Sequence, residues 1–165
     1  MIFKKRHTTN LYNILLSLSR NKIFYAKMKL PDTFESRIYL MFIHFSIIMK
    51  IYKKKGEIFH QEIYDLFFNN IENDLRELGY GDVTVNKKMK DLNKILYDIL
   101  LKLEKNDSDQ SFEINQSLLS TYFKDSNIDK SDKLTNLNEY FVTFYNFCFE
   151  LPLENMLNRL NNFKI

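Results

Sequence analysis

The sequence predicts an all-α fold, a single-domain helical bundle with three long helices and shorter flanking helices. Gly and Pro, which tight turns between strands require, number only 3 and 2 among 165 residues. Apolar residues recur at steps of three and four along several segments, which is the spacing of one helix face. Hydrophobic residues make up 45% and aromatic residues 15%, a composition that supports one packed domain over residues 1–165.

The first predicted element covers residues 11–20. Its mixed apolar and polar residues fit an ordinary first helix or an amphipathic transit peptide, and we favour the helix. A secretory signal is not expected, because Asn13, Ser17 and Ser19 break the apolar run behind the basic start.

The first long helix is predicted to begin at an N-cap formed by Asp32, with Glu35 completing a capping box. Pro31 separates this helix from the element before it. The apolar run over residues 38–49 is shorter than the roughly 18–20 residues of a membrane span, so we expect a central core helix. Its stripe consists of Phe34, Ile38, Met41, Phe45, Ile48 and Tyr52.

Two further long helices are predicted over residues 57–78 and 84–105. Gly79 stands where a C-terminal glycine cap belongs, and a turn over residues 80–82 follows. Helix 57–78 has an apolar stripe of Phe59, Ile63, Phe67, Ile71, Leu75 and Leu78, and helix 84–105 has one of Val85, Met89, Leu92, Leu96, Ile99 and Leu103. The stripe of helix 84–105 also fits a coiled coil, but three such stripes in one short chain favour a bundle.

The C-terminal part is predicted to contain shorter or less regular elements. A polar break over residues 106–111 precedes a short helix over 112–123, and the charged segment 124–133 is expected to be a loop. A last strong helix covers residues 134–151, and Pro152 is expected to start a tail helix that ends near Asn161.

Patterns of catalytic or metal chemistry are weak throughout the sequence. Glu57 and His60 have the spacing of a di-iron ligand pair, but no second copy exists, so we expect a solvated helix start. His44 is interpreted as a core histidine hydrogen-bonded to a neighbour, and Cys148 as a small buried residue. We therefore predict no enzyme, no cofactor and no metal site.

The lysines are better candidates for function, although a formal net charge of +3 does not by itself indicate nucleic-acid binding. Lys87, Lys90 and Lys94 share one face of the third long helix, with Lys88 adjacent. Near a helix start the dipole disfavours each cation by about a few tenths of a kcal/mol. A solubilising face, RNA phosphates and anionic lipid headgroups all remain open. A second cluster within residues 50–55 needs no function, because the end of a helix favours cations.

Aromatic residues are concentrated around Tyr64, Phe67 and Phe68 and over residues 141–149. Core packing explains such a concentration. The alternative is a groove that accepts an apolar helix of a client protein.

Several separated features between residues 24 and 104 occur together in one order. The features are Phe24-Tyr25, Pro31-Asp32-Thr33, Arg37, His44, Asp65-Leu66-Phe67-Phe68, Leu75-Arg76-Glu77-Leu78-Gly79, Gly81-Asp82, and Val85 followed by Lys87-Lys88-Met89-Lys90. In this order they resemble the ubiquinol–cytochrome c chaperone family, whose members are assembly factors for cytochrome b of respiratory complex III. The resemblance gives a family-like core over residues 24–105. Asn86 and the pair Tyr97-Asp98 depart from the family pattern, and residues 106–165 match only in helical character.

The resemblance implies a non-enzymatic chaperone that holds newly made cytochrome b while complex III is assembled. It implies a small partner protein, the ribosome and the inner-membrane surface as further contacts, and no DNA. The expected location is the bacterial cytoplasm at the inner-membrane face, or the mitochondrial matrix in a eukaryote. The rival hypothesis is a peripheral helical module that binds anionic lipid or RNA through its basic face.

The expected partner-binding residues lie mainly in the turn after the second long helix and in the first half of the third. Arg37 and Arg76 are the weaker members, since each could instead form an ion pair with a carboxylate of a neighbouring helix. The full set is Gly79, Gly81, Asp82, Lys87, Lys88, Lys90, Lys94, Arg37 and Arg76.

Overall fold

A computed structural model describes residues 2–104, 111–123 and 130–165, and these three ranges contain helices and connections but no strand. The all-α prediction is therefore confirmed. The α-helices are α1 (Ile2–Ser19), α2 (Phe34–Lys54), α3 (Gln61–Glu77), α4 (Asp82–Glu104), α5 (Gln116–Tyr122), α6 (Lys130–Glu150) and α7 (Met156–Arg159). A π-helical turn, Ile23–Lys27, follows α1, and a 3₁₀ turn, Leu160–Asn162, follows α7.

Helix α2 forms the centre of the bundle, as its wide apolar surface predicted. Every residue over 40–48 is buried, and α2 contacts α1, α4 and α6. Helix α1 also packs against α3 and brings Leu11 and Leu15 into the core, which confirms an ordinary helix there. Among the described residues, none of the helices is both long and apolar enough to cross a membrane.

The start of α2 differs from the prediction. Thr33, not Asp32, is the N-cap, because its extended backbone lets its hydroxyl accept a hydrogen bond from the Ser36 N–H at 3.2 Å. Asp32 forms an ion pair with Arg37 instead. The N-cap therefore lies one residue later than predicted, and the predicted capping box of Asp32 and Glu35 is wrong.

The start of α3 is also later than predicted, at Gln61 rather than residue 57. Gly56, with φ of +76°, ends α2, and the Glu57 N–H donates back to the Tyr52 carbonyl at 2.9 Å. His60 is the extended residue before α3. Glu57 and His60 thus lie in a connection and share no helix face.

The C-terminal helices also begin at other residues than predicted, α5 later and α6 earlier. Helix α5 begins at Gln116 because the Asn115 side chain caps it, accepting from the Ser117 N–H at 2.9 Å. Helix α6 begins at Lys130, inside the predicted loop, whereas residues 124–129 and 105–110 lie outside the described ranges. The tail helix is shorter than expected, four residues followed by a 3₁₀ turn. Helices α1 and α6, at 18 and 21 residues, are as long as the three that the stripes identified.

Most of the aromatic residues form the core. Phe67 stacks on Phe45 with ring centroids 4.3 Å apart, and Phe141 and Phe144 are fully buried. Core packing therefore accounts for these positions, and Phe149 is the exposed member of its segment. The prediction for Cys148 is confirmed, since the thiol is buried and burial raises its pKa to about 12.

Candidate partner-binding site

The turn between α3 and α4 is shaped by Gly79. Its φ of +96° is accessible to glycine and costly for other residues. The Gly79 N–H donates to the Arg76 carbonyl at 3.0 Å, and the Tyr80 N–H donates to the Leu75 carbonyl at 3.4 Å. These two bonds form a Schellman motif, so the predicted glycine cap is confirmed.

Gly81 has a different role from Gly79. Its φ is not positive, and a Cβ at this position would meet open space. Its carbonyl accepts the Val85 N–H at 2.9 Å and so begins the hydrogen-bond ladder of α4. The fold therefore uses the backbone of Gly81 but does not require a glycine there.

Arg76 and Asp82 link the end of α3 to the start of α4. The Arg76 guanidinium donates to the Asp82 carboxylate and, at 3.1 Å, to Glu72 one turn earlier. These hydrogen bonds, the one to Asp82 above all, raise the pKa of Arg76. Both residues thus have an internal partner, which is the alternative that the sequence left open for Arg76.

Arg37 lies apart from the other predicted residues. It pairs with Asp32 and lines a depression with Arg20, Lys22 and Tyr25, near the end of α1 and the start of α2. The structure does not bring Arg37 to the α3–α4 turn.

The lysines of α4 divide into two kinds. Lys88 is half-buried, with its Nζ 4.7 Å from the centroid of the Tyr80 ring, a cation–π contact. Lys87, Lys90 and Lys94 are exposed, and within the described residues no ion pair or hydrogen bond of their side chains is found. We call these three the α4 lysines.

The helix dipole explains less about the α4 lysines than the sequence suggested. Helix α4 begins at Asp82, two residues earlier than predicted, so Lys87 already lies in the second turn. The dipole acts mainly on the first turn. The case for a function therefore rests on the missing internal partners rather than on an unfavourable position.

A shallow groove of about 200 Å³ runs beside the turn, between the first turns of α2, the end of α3 and the flank of α4 next to its core face. We call it the turn groove. Phe34, Ile38 and Leu75 contribute apolar surface to it, and Lys88 lies at its edge. Tyr80 and Leu78 also line it, and they are 41% and 59% exposed. Glu35 and Asp91 also line the groove, so it combines apolar surface with side chains of both charges.

The sequence indicated only part of the turn groove. Leu78 was expected in the buried stripe of α3, but the helix ends at Glu77 and leaves the Leu78 side chain exposed at the C-cap. Tyr80 lies in the predicted turn, where local spacing does not indicate that its ring lines a groove. Phe34 and Ile38 come from a helix distant in sequence, which spacing within α3 and α4 cannot predict.

His44 is a buried structural residue, as predicted. Its Nδ1 lies 2.6 Å from the Leu40 carbonyl, and its Nε2 lies 2.8 Å from the Tyr140 hydroxyl. Burial lowers the pKa of His44 to about 4, so the ring is neutral at pH 7. Nδ1–H then donates to Leu40, and the Tyr140 hydroxyl donates to Nε2. Within the described ranges, no group of His, Cys, Asp or Glu side chains is placed to hold a metal ion.

The fold is similar to that of a solved protein. The crystal structure of the Cbp3 homologue from Brucella abortus superposes with a TM-score of 0.65 and 20% sequence identity. The similarity covers 95% of this chain and 93% of that protein. At this identity the likeness concerns the fold.

The sequence itself gives the family. No curated protein sequence matches the chain. The sequence model of the ubiquinol–cytochrome c chaperone family matches residues 26–159, which include α2, α3, α4 and the whole turn between α3 and α4. The chain therefore belongs to the ubiquinol–cytochrome c chaperone family.

Proposed function

We propose that this chain is an assembly chaperone of ubiquinol–cytochrome c reductase that binds newly made cytochrome b at the α3–α4 turn. The family supplies the general role. The observation that carries the proposed location is the combination of the turn groove with the α4 lysines on one exposed corner of the molecule.

The apolar part of the corner suits a client that exposes apolar segments before it enters the membrane. Leu78 and Tyr80 are large apolar side chains left in water. Covering the exposed parts of both would contribute on the order of 1–3 kcal/mol, a suitable magnitude for a client that must later be released.

The cationic part of the corner would orient the bound client segment. Lys88 at the edge of the groove and the α4 lysines nearby would attract acidic residues that flank an apolar client segment. Charges at the rim of an interface act mainly on association rate and specificity rather than on affinity.

The proposal assigns the chain no catalytic residue, cofactor or metal. It places the chaperone at the membrane surface where cytochrome b is inserted, on the cytoplasmic face of the inner membrane in a bacterium or in the mitochondrial matrix. A small partner protein and the ribosome remain predictions from the resemblance.

The test is affinity recovery of cytochrome b from detergent-solubilised membranes. The variant Lys87→Glu/Lys88→Glu/Lys90→Glu is compared with a charge-matched control, Lys22→Glu/Lys27→Glu/Lys164→Glu, whose lysines are exposed elsewhere. We expect recovery with wild type and control, and loss with the first variant. Equal recovery with all three proteins would support cytochrome b as the client but show that the lysines do not bind it.

A second candidate function follows from the α4 lysines, which are exposed and have no ion-pair or hydrogen-bond partner in the described part of the chain. If wild type recovers no cytochrome b, a peripheral module that binds anionic lipid becomes the better proposal. That function predicts flotation with anionic but not zwitterionic liposomes, and binding that collapses as salt is raised.

A further inference from the structure

Helix α4 carries a second regular stripe on its outer side. Val83, the α4 lysines, Tyr97 and Leu101 follow one another at steps of 4, 3, 4, 3 and 4 residues. At about 100° per residue these six positions fall within an arc of about 80°, and they extend over about 27 Å of helix. We call them the outer stripe.

The outer stripe lies opposite the face that builds the core. Val85, Leu96 and Ile99 are fully buried and lie about 160–220° around the helix from Val83. In contrast, Val83, Tyr97 and Leu101 are 85%, 60% and 58% exposed. The Tyr97 side chain also interacts with that of Tyr64 in α3. Single exposed apolar residues are common, but three aligned on one helix line offer a surface against which another helix could pack.

The charge of the outer stripe is positive, and among the described residues its lysines form no ion pair with a carboxylate of α4. Asp91 and Asp98 lie on one side of the stripe, about 80° and 60° around the helix from Val83 and about 40° and 20° from the nearest edge of the stripe. Asp98 is already engaged there, as it pairs with Lys102 at 2.9 Å and accepts a hydrogen bond from the Tyr122 hydroxyl.

The order of residues along the stripe discriminates between a membrane and a protein. A membrane-surface helix presents a continuous apolar face with lysines along its borders. Here the lysines occupy the middle, and the apolar positions Val83 and Tyr97 are separated by about 21 Å of helix. The matching surface has carboxylates in the middle and apolar groups at both ends.

We propose that the outer stripe of α4 docks an amphipathic helix of a protein partner, with carboxylates facing the α4 lysines and apolar residues facing Val83 and Tyr97-Leu101. Helix-on-helix packing at steps of three and four accommodates such a pair. The inference rests on the proposed function, because it names the kind of protein segment that the lysine face of the same site would bind.

The test uses a photo-reactive benzoylphenylalanine placed in the full-length chain in cells, singly at Val83, Tyr97 or Tyr80. Tyr80 reports on the turn groove, and the other two report on the outer stripe. We expect cross-links from Val83 and Tyr97 to map to one helical segment with acidic residues at steps of three and four. Lys87→Glu/Lys90→Glu/Lys94→Glu should lower their yield at least about tenfold, because like charges across an interface are strongly unfavourable.

Charge reversal completes the test. Replacing the mapped carboxylates by lysine should restore cross-linking to the glutamate variant, and Lys22→Glu/Lys27→Glu/Lys164→Glu should cross-link as wild type does. Melting temperatures of all variants establish that they are folded. Cross-links from Val83 and Tyr97 to lipid, to RNA or to a non-acidic segment, or none above background, would overturn the inference.

The three positions separate this inference from the proposed function. If Tyr80 cross-links to cytochrome b while Val83 and Tyr97 cross-link to no protein, cytochrome b is supported as the client and the docked helix is rejected. If Val83 and Tyr97 cross-link to an acidic helix of another protein while Tyr80 does not cross-link to cytochrome b, the docked helix is supported and the proposed client is rejected.

Discussion

Two groups of lysines on this chain are used in opposite ways. At the end of α2, Lys50 donates to the Leu103 carbonyl at 2.7 Å, and Lys55 donates to the carbonyls of Phe149 and Leu151 at 2.7 and 2.8 Å. The Leu103 and Phe149 carbonyls belong to the last turns of α4 and α6, and Leu151 directly follows α6. Unpaired acceptors and the negative end of the helix dipole lie at such helix ends. Lys50 and Lys55, the α2 group, therefore stabilise the ends of α4 and α6 within the fold.

The α4 lysines have no such role within the described residues, although their number and charge are similar. The difference shows that neither the count of cations nor their spacing identifies a binding surface. A cation that satisfies a carbonyl of a neighbouring helix is structural, whereas one left in water is available to a partner. Four predictions, ordered by the expected change in stability, test this distinction.

The largest effect is expected when Lys50 is removed. Lys50→Ala leaves the Leu103 carbonyl without its donor and opens space beside Phe112, over which the Lys50 Nζ lies at 5.8 Å. We expect the free energy of unfolding to fall by about 2–4 kcal/mol, measured by urea denaturation. Lys90→Ala is the matched control and should change it by less than about 0.5 kcal/mol. Equal losses of unfolding free energy in Lys50→Ala and Lys90→Ala would contradict the distinction between the two groups of lysines.

The buried His44 predicts a dependence of stability on pH. Its pKa is lowered from 6.5 to about 4 in the folded chain, so the unfolded chain binds more protons between these values. The stabilisation is fully present above pH 6.5 and is lost as the pH falls towards 4, by up to about 3 kcal/mol. His44→Phe should flatten the dependence of the melting temperature over this range. An unchanged slope in His44→Phe would show that other groups cause it.

The two glycines of the α3–α4 turn should respond differently to the same substitution. Gly79→Ala places a side chain at a φ of +96° and should cost about 1–2 kcal/mol. Gly81→Ala meets open space and should be neutral or slightly stabilising, because it restricts the unfolded chain. Thermal melts of the two variants make the comparison, and equal destabilisation would contradict the roles assigned here.

The smallest loss of stability per substituted side chain, apart from Gly81→Ala, is expected for the α4 lysines. Lys87→Glu/Lys90→Glu/Lys94→Glu should alter the free energy of unfolding by no more than about 0.5 kcal/mol per position, because exposed surface substitutions rarely do more. Urea denaturation measures this change. A large loss would mean that these side chains have a structural partner.

Local pattern predicted much of the fold but less of the site. The stripe of α2, the core stripe of α4 and the cap at Gly79 all depend on residues close in sequence, and all three are confirmed. The N-cap at Thr33 was missed by one residue, because Asp32 and Thr33 are both good caps and only the ion pair to Arg37 separates them.

Contacts between distant residues account for what the sequence could not predict. The acceptors of Lys50 and Lys55 lie 53 to 96 residues away, and the turn groove is assembled from three helices. The outer stripe was accessible in principle, since its spacing is as regular as that of the core stripe. Grouping the lysines by charge separates them from Val83, Tyr97 and Leu101, whereas their spacing joins all six positions.

The most direct test of the central claim compares the two lysine groups in one experiment. Cytochrome b recovery is measured per folded molecule for Lys87→Glu/Lys90→Glu/Lys94→Glu and for Lys50→Met/Lys55→Met. We predict that the first variant keeps its melting temperature and loses recovery, whereas the second loses melting temperature and, where folded, keeps recovery. Normal recovery by the folded α4 variant would contradict the account.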